Sequence, residues 1–281
     1  MKFAVWLLLL LVSSSVGAAP LLDDAAAIPH VGERAREAYA QSFLPSGTHR
    51  AFAIAPGGAW AWAAEKEDAD AAREAALDAC GKHSEIRCVP YAVDDRVVFD
   101  DKVWPSLWGP YKSRAQATLA ETGGKRGMRF PDLAMVSPKG RAMKLSDLRG
   151  KVVVVHFWGS WCNPCKRELP DLLKLVTHFK GNGEMVFVLL PVREKLSDAQ
   201  RWLNAQGLAL PLYDSGVKSA EDEFLKRADG GKIQDRQLAK VFPATWVLDK
   251  HGLVVFSHVG PLEGWLQYAP FLRDVAAKSG K

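Results

Sequence analysis

The chain has 281 residues, 48% of them hydrophobic and 25% charged, and a net charge of +5. That length accommodates two domains with ordinary apolar cores. The positive excess is mild and no Lys/Arg block approaches a nucleic-acid footprint, so no nucleic-acid partner is expected.

The N-terminus reads as a targeting segment. Lys2 supplies a short positive region, and Phe3 to Val12 form an apolar stretch too short for a comfortable membrane span. Small residues follow, with Val16 and Ala18 at cleavage spacing. Residues 1–18 are therefore read as a signal peptide, and an uncleaved anchor is the alternative. The expected location is the periplasm or another exported compartment, where disulfides persist. Residues 19–48 mix Ala, Pro and charge, and read as a flexible leader.

Residues 49–103 read as a small α+β module. Arg50–Ala55 and Ala59–Ala63 have strand character, with Pro56-Gly-Gly58 as a turn between them and Trp60 and Trp62 on one face. Asp68 is placed to cap a helix from Ala69 to Cys80. Arg87–Val93, Asp94-Asp95 and Arg96–Phe99 suggest a closing hairpin. Cys80 would end the helix and Cys88 begin the next strand, so a structural disulfide is expected there. Closing so short a loop is worth roughly 2.5 kcal/mol. A metal site on Cys80, His83 and Cys88 would lack a fourth ligand at zinc-like spacing, so no metal is expected. Residues 104–127, with Pro105, Gly109, Pro110, Gly123 and Gly124, read as a linker. Its Trp104, Trp108 and Tyr111 would pack against one domain or the other.

Residues 128–281 alternate between strand and helix patterns. Lys151–Trp158 and Met185–Val192 are continuous apolar runs, as in a sheet covered on both faces. Leu169, Leu172, Leu173, Val176 and Phe179 recur between them at helical spacing, and Asp198–Gln206 suggests another helix. Thr245–Leu248 and Leu253–Val259 flank the turn Asp249-Lys-His-Gly252, and a last helix is placed from about Pro261 to Lys278. The order β-α-β-α-β-β-α gives an α/β fold with a central mixed sheet flanked by helices.

The chemistry is concentrated in Trp161-Cys162-Asn163-Pro164-Cys165, directly after the first apolar strand. A Cys-x-x-Cys pair between a strand and a helix can make and break a disulfide. The helix N-terminus offers free N–H groups and partial positive charge to the first sulfur, which favours the nucleophilic thiolate. Pro164 suits the first helical turn, whereas Pro170 falls inside the helix and should kink it. Far downstream, Val241-Phe242-Pro243-Ala-Thr-Trp246 precedes a strand.

Several segments together resemble the thioredoxin superfamily, and most of all the exported TlpA/ResA-type thiol-disulfide oxidoreductases. They are Phe130-Pro-Asp-Leu133, Leu145–Val155, Phe157–Pro170 and Pro243–Asp249. The resemblance covers about 128–277 and implies a thioredoxin-like fold. It implies that Cys162 attacks a substrate disulfide and Cys165 resolves the mixed disulfide, with that dithiol as the only redox group and no added cofactor. Pro243 would be a cis-proline facing the cysteines. Phe242 would present backbone groups to the substrate chain, and Trp161 would pack beside Cys162. The implied partners are protein disulfide substrates, such as apocytochromes c during maturation, and a DsbD/CcdA-type membrane thiol reductant. A monomer is expected.

Two departures stand out. His156 occupies a position where relatives often carry a buried carboxylate or amide. It reads either as a proton relay for Cys165 or as a satisfied core histidine. Phe242 is bulkier than the usual residue before this proline. Glu168 reads either as a tuner of active-site charge, and so part of a relay, or as a surface residue on the first helical turn.

Other functions compete with reduction. An oxidase or isomerase would use the same thiols, but Asn163-Pro164 resembles the reducing members. A thiol peroxidase would want Thr or Ser where Gly159 stands. A copper-binding assembly factor would space its cysteines one residue wider and add a distant His, a part that His258 could play. A non-catalytic binding protein whose module at 49–103 recruits a partner is the reading from a different class.

Overall fold

The computed structural model describes residues 21–280, so the signal peptide expected at 1–18 lies outside the described residues. Residues 21–48 are not a flexible leader. Asp24 caps a 3-10 turn at Ala25–Ala27, and α1 (Glu33–Ala38) runs on into a π-helical turn at Tyr39–Phe43. Ile28, Val31, Ala35, Tyr39 and Phe43 fall three or four residues apart and are all buried. That stripe is what an amphipathic helical segment presents to a core. The Tyr39 hydroxyl donates to the Leu22 carbonyl at 2.7 Å. Arg50 locks the arm's end by donating to the carbonyls of Phe43 (3.1 Å), Ser46 (2.8 Å) and Leu44, and pairs with Asp95 at 2.7 Å.

The module follows as β1 (Ala51–Ile54), β2 (Trp60–Ala63), α2 (Ala69–Gly81), β3 (Val89–Val93) and β4 (Arg96–Val97). Its antiparallel sheet has the order β2-β1-β3-β4. Strand alternation divides β1. Phe52 and Ile54 join Tyr39, Phe43 and Tyr91 in the large core, whereas Ala51, Ala53 and Ala55 meet Ala72 and Ala76 of α2. The Asp68 side chain caps α2 by accepting from the Ala71 N–H at 2.7 Å. Cys80 and Cys88 form the expected disulfide, with a Cα separation of 6.2 Å. It reinforces a helix–sheet seam built largely of alanine, where little apolar area is available.

The stretch 104–127 is also not a simple linker. It forms α3 (Trp104–Trp108) and α4 (Arg114–Thr118), and Trp104, Leu107 and Trp108 are buried. Trp104 packs on Phe99 of the module segment and on His30 of the arm, while Trp108 packs on Phe271. The Tyr111 hydroxyl donates to Asp274 at 2.7 Å. His30 in turn lies edge-on against Tyr268 and donates its backbone N–H to Gln267 at 2.7 Å. Arm, module and linker therefore share one apolar cluster with the larger domain.

The larger domain opens with the hairpin β5 (Ala134–Val136) and β6 (Ala142–Lys144), followed by β7 (Val152–Trp158), α5 (Asn163–His178), β8 (Met185–Pro191) and α6 (Leu196–Ala205). An excursion then carries β9 (Phe224–Lys226), β10 (Lys232–Gln234) and the short α7 (Asp235–Leu238). The chain returns through β11 (Ala244–Leu248), β12 (Val254–Val259), a 3-10 turn at Trp265–Tyr268 and α8 (Ala269–Lys278). The sheet order is β12-β11-β7-β8, with β7 parallel to β8 and the other pairs antiparallel. Every residue of β7 is buried, as a central strand covered by helices on both faces requires. The mixed sheet and helix order match the expected α/β, thioredoxin-like architecture. Among the described residues no helix is long and apolar enough to cross a membrane.

Candidate active site

The cysteines sit where β7 gives way to α5. Cys162 is the N-cap of α5, and its Sγ accepts a hydrogen bond from the Cys165 N–H at 3.3 Å. Pro164 occupies the first turn, where its missing N–H leaves no bond unmade. Cys162 and Cys165 are joined as a disulfide. Cys165 is fully buried and Cys162 is 6% exposed, so the sulfur nearer the surface is that of Cys162. Pro170 lies within α5, which continues past it to His178.

The second wall comes from the loop before β11. The Phe242–Pro243 peptide bond is cis, as the resemblance implied. The Phe242 carbonyl oxygen stands 3.6 Å from Cys162 Sγ. Trp161, 47% exposed, meets the Phe242 ring edge-on with 6.0 Å between centroids. Arg236 of α7 lies over the Phe242 ring at 5.2 Å. Gly159 makes room for this arrangement: a Cβ there would come within 2.2 Å of the Trp161 ring nitrogen. Trp161 and Phe242 thus meet beside Cys162, and Pro243 follows Phe242 through the cis bond.

A buried polar pair joins β7 to α5. β7 and β11 are in register at His156 and Thr245, and His156 Nδ1 shares a 3.0 Å hydrogen bond with Thr245 Oγ1. His156 Nε2 lies 3.1 Å from Glu168 Oε1, but off-axis, so neither atom completes a hydrogen bond. The other carboxylate oxygen of Glu168 accepts from the Leu262 N–H at 2.7 Å. Glu168 is 6% exposed, which corrects its reading as a surface residue. The helical spacing explains the burial: Glu168 follows Cys165 by three residues, on the same inward face of α5. The Trp265 ring closes over His156 edge-on at 5.8 Å. Glu168 also lines a cleft of about 1030 Å³ between the arm and the domain, whose walls include Trp60, Pro164, Arg167 and His258. Burial holds His258 below the ordinary imidazole range. No cluster of three metal-ligating side chains occurs among the described residues.

Sequence reasoning missed the groups that hold the cysteine loop from outside. Glu194, just beyond β8, accepts from the Ser160 N–H at 2.6 Å and from its hydroxyl at 2.5 Å. Burial pushes the Glu194 carboxyl up, against the opposing pull of these bonds. The Val192 carbonyl accepts from the Trp161 indole at 2.9 Å. The available signal was topological. A parallel β7–β8 pair brings the residues after Trp158 next to those after Pro191.

A parallel strand pair, a Cys-x-x-Cys at the N-terminus of the intervening helix and a cis-proline opposite define a thioredoxin-superfamily redox domain. The Redoxin family model matches residues 125–267, and the chain belongs to that family, with a ResA-like character. It is 32% identical over 128 residues to the thiol-disulfide oxidoreductase ResA of Geobacillus kaustophilus (strain HTA426), a match covering 46% of this chain and 66% of that protein. It is 30% identical over 146 residues to ResA of Bacillus thuringiensis (strain Al Hakam), covering 50% of this chain and 76% of that protein. Among solved structures, a putative thiol:disulfide interchange protein DsbE from Chlorobium tepidum aligns at 23% identity. That alignment covers 56% of this chain and 99% of the other, with a TM-score of 0.41. The domain is that of a thiol-disulfide oxidoreductase enzyme.

Proposed function

We propose that the protein reduces disulfides of exported proteins, with apocytochromes c undergoing maturation as the favoured substrate class. The observation that carries this reading is the hydrogen bond from the Cys165 N–H to Cys162 Sγ at the head of α5. In the reduced enzyme the same N–H supports a Cys162 thiolate, which is the attacking form. That thiolate attacks one sulfur of the substrate disulfide, forming a mixed disulfide and releasing the other substrate sulfur as a thiolate. Cys165, deprotonated in turn, attacks Cys162 Sγ; the substrate leaves as a dithiol and the enzyme as the Cys162–Cys165 disulfide. Two electrons per cycle then come from a membrane thiol reductant of the DsbD/CcdA kind.

Glu168 and His156 take and pass on the Cys165 proton, and the cleft that Glu168 lines gives that proton a way to solvent. Trp161, Phe242 and Pro243 receive the substrate chain. The Cys80–Cys88 disulfide supports an oxidising, exported location such as the periplasm. A monomer is in keeping with this cycle, which needs one dithiol per turnover.

The test uses a Cys165→Ser variant. Without the resolving thiol it should hold substrate on Cys162 as a stable mixed disulfide, and Cys162→Ser should hold none. The reduced wild-type protein should release two thiols per disulfide-bonded peptide. Failure to release them would remove the reductase assignment.

A further inference from the structure

The two loops that form the substrate rim belong to different parts of the chain, and a single three-residue turn grips both. Val192-Arg193-Glu194 leaves β8 beside the cysteine loop, fixed by the Val192 N–H donating to the Trp158 carbonyl at 2.9 Å. Arg193 adopts a left-handed backbone with φ of +57°. That conformation is uncommon for a residue with a side chain, and it persists where the surroundings hold it. Here they do so on two sides. Glu194 is buried and accepts both the backbone N–H and the hydroxyl of Ser160, next to Trp161. Arg193 reaches the other way. Its Nε and Nη2 bind the two oxygens of buried Asp235 at 2.7 and 3.0 Å, and Nη2 also meets Glu223 at 3.0 Å. A planar guanidinium held at two points on one carboxylate fixes distance and angle together.

Asp235 opens α7, whose next residue, Arg236, lies over the Phe242 ring and donates to the Lys240 carbonyl. Ser160 is therefore tied by hydrogen bonds to Glu194, Glu194 by the backbone to Arg193, and Arg193 by its ion pair to Asp235, whose helix leads to the segment that presents Phe242. The two ends of this path carry Trp161 and Phe242, which touch each other over Cys162.

We propose that Arg193 and Glu194 are positioning residues that set the width of the substrate rim between Trp161 and Phe242, and so determine how well a polypeptide seats against Cys162. The inference rests on the thiol–disulfide reading above. It does not alter the electron transfers, and it assigns the pair to substrate binding.

The experiment is steady-state reduction of a peptide with one intramolecular disulfide by full-length wild-type, Glu194→Ala and Glu194→Gln proteins. A side chain that acts by positioning a binding rim changes KM far more than kcat. Glu194→Ala should raise KM about tenfold, which corresponds to about 1.4 kcal/mol, with a much smaller change in kcat. Glu194→Gln keeps an acceptor for the Ser160 N–H and should restore most of the wild-type KM. An unchanged KM in Glu194→Ala, a fall confined to kcat, or a Gln variant as impaired as Ala would each overturn the proposal. If Glu194→Ala does not fold, Arg193→Lys carries the test. It keeps the charge and loses the two-point grip on Asp235, so the same KM rise is expected, and an unchanged KM overturns the inference. If the wild-type protein itself does not reduce the peptide, the thiol–disulfide reading has failed instead.

Discussion

Replacing Glu168 by Gln separates the chemistry of the buried carboxylate from its architecture. In the wild type one Glu168 oxygen accepts from the Leu262 N–H at 2.7 Å, and the other faces His156 Nε2 at 3.1 Å without an aligned bond. Gln has the same shape and retains an acceptor for Leu262, so the stability change should stay within about 1 kcal/mol. What Gln lacks is the ability to hold a proton. Losing a positioned acid–base group typically costs ~10²- to 10⁴-fold, and the low end applies here because His156 remains beside the site. Resolution of the mixed disulfide should therefore slow about 100-fold, equivalent to about 2.7 kcal/mol of barrier. Glu168→Ala differs in kind. It leaves the Leu262 N–H buried without an acceptor, and should cost about 2 kcal/mol of stability as well. The assay is a single turnover with a disulfide-bonded peptide, quenched by acid, with the adduct followed by mass. Glu168→Gln should accumulate the Cys162 adduct, and its pH–rate profile should differ in shape from that of the wild type. Resolution at the wild-type rate with an unchanged profile would refute a proton-handling role for Glu168.

Two further predictions concern the N-terminal half. Cys80→Ala/Cys88→Ala should lower stability by roughly 2.5 kcal/mol, seen in calorimetry as a Tm about 5 to 10 °C lower; an unchanged Tm would show that the alanine-lined seam needs no staple. His30, buried between Trp104 and Tyr268, has its pKa lowered by burial from 6.5 to about 4. The unfolded chain then binds more protons than the folded one between these values, so the His30 contribution is complete above pH 6.5 and is lost as pH falls toward about 4. The span is worth about 3 kcal/mol. His30→Asn, chosen because Asn tolerates the left-handed backbone at this position (φ +61°), should flatten unfolding free energy against pH in that window; a slope equal to the wild type would contradict it.

The larger domain was legible because its signals are local. The apolar run of β7, the capping position of Cys162 and the hairpin at Asp249–Gly252 each specify their own structure. The same holds for the Asp68 cap and the Cys80–Cys88 staple. The arm was misread because its buried positions, Ile28 to Phe43, are diluted by Arg, Glu and Ala, so composition suggested a loose leader although the three-to-four spacing was present. The 104–127 segment was misread because its prolines and glycines dominate, whereas Trp104 and Trp108 gain their burial from residues as distant as His30 and Phe271. At the site, the Cys162–Cys165 pair was legible from the motif, and the cis Phe242–Pro243 bond and the packing of Trp161 from the resemblance. The burial of Glu168 could have been inferred from its spacing to Cys165. The grip of Glu194 on Ser160 depends on a strand pairing made across 30-odd residues, and no local pattern announces it.

The central claim, that Cys162 attacks protein disulfides and Cys165 resolves them, is tested most directly by isolating what Cys165→Ser carries when expressed in the native host. The account predicts exported proteins with cysteine pairs, apocytochromes c among them, joined to Cys162 and released by reductant. An absence of adducts under conditions where the wild-type protein is active would contradict it.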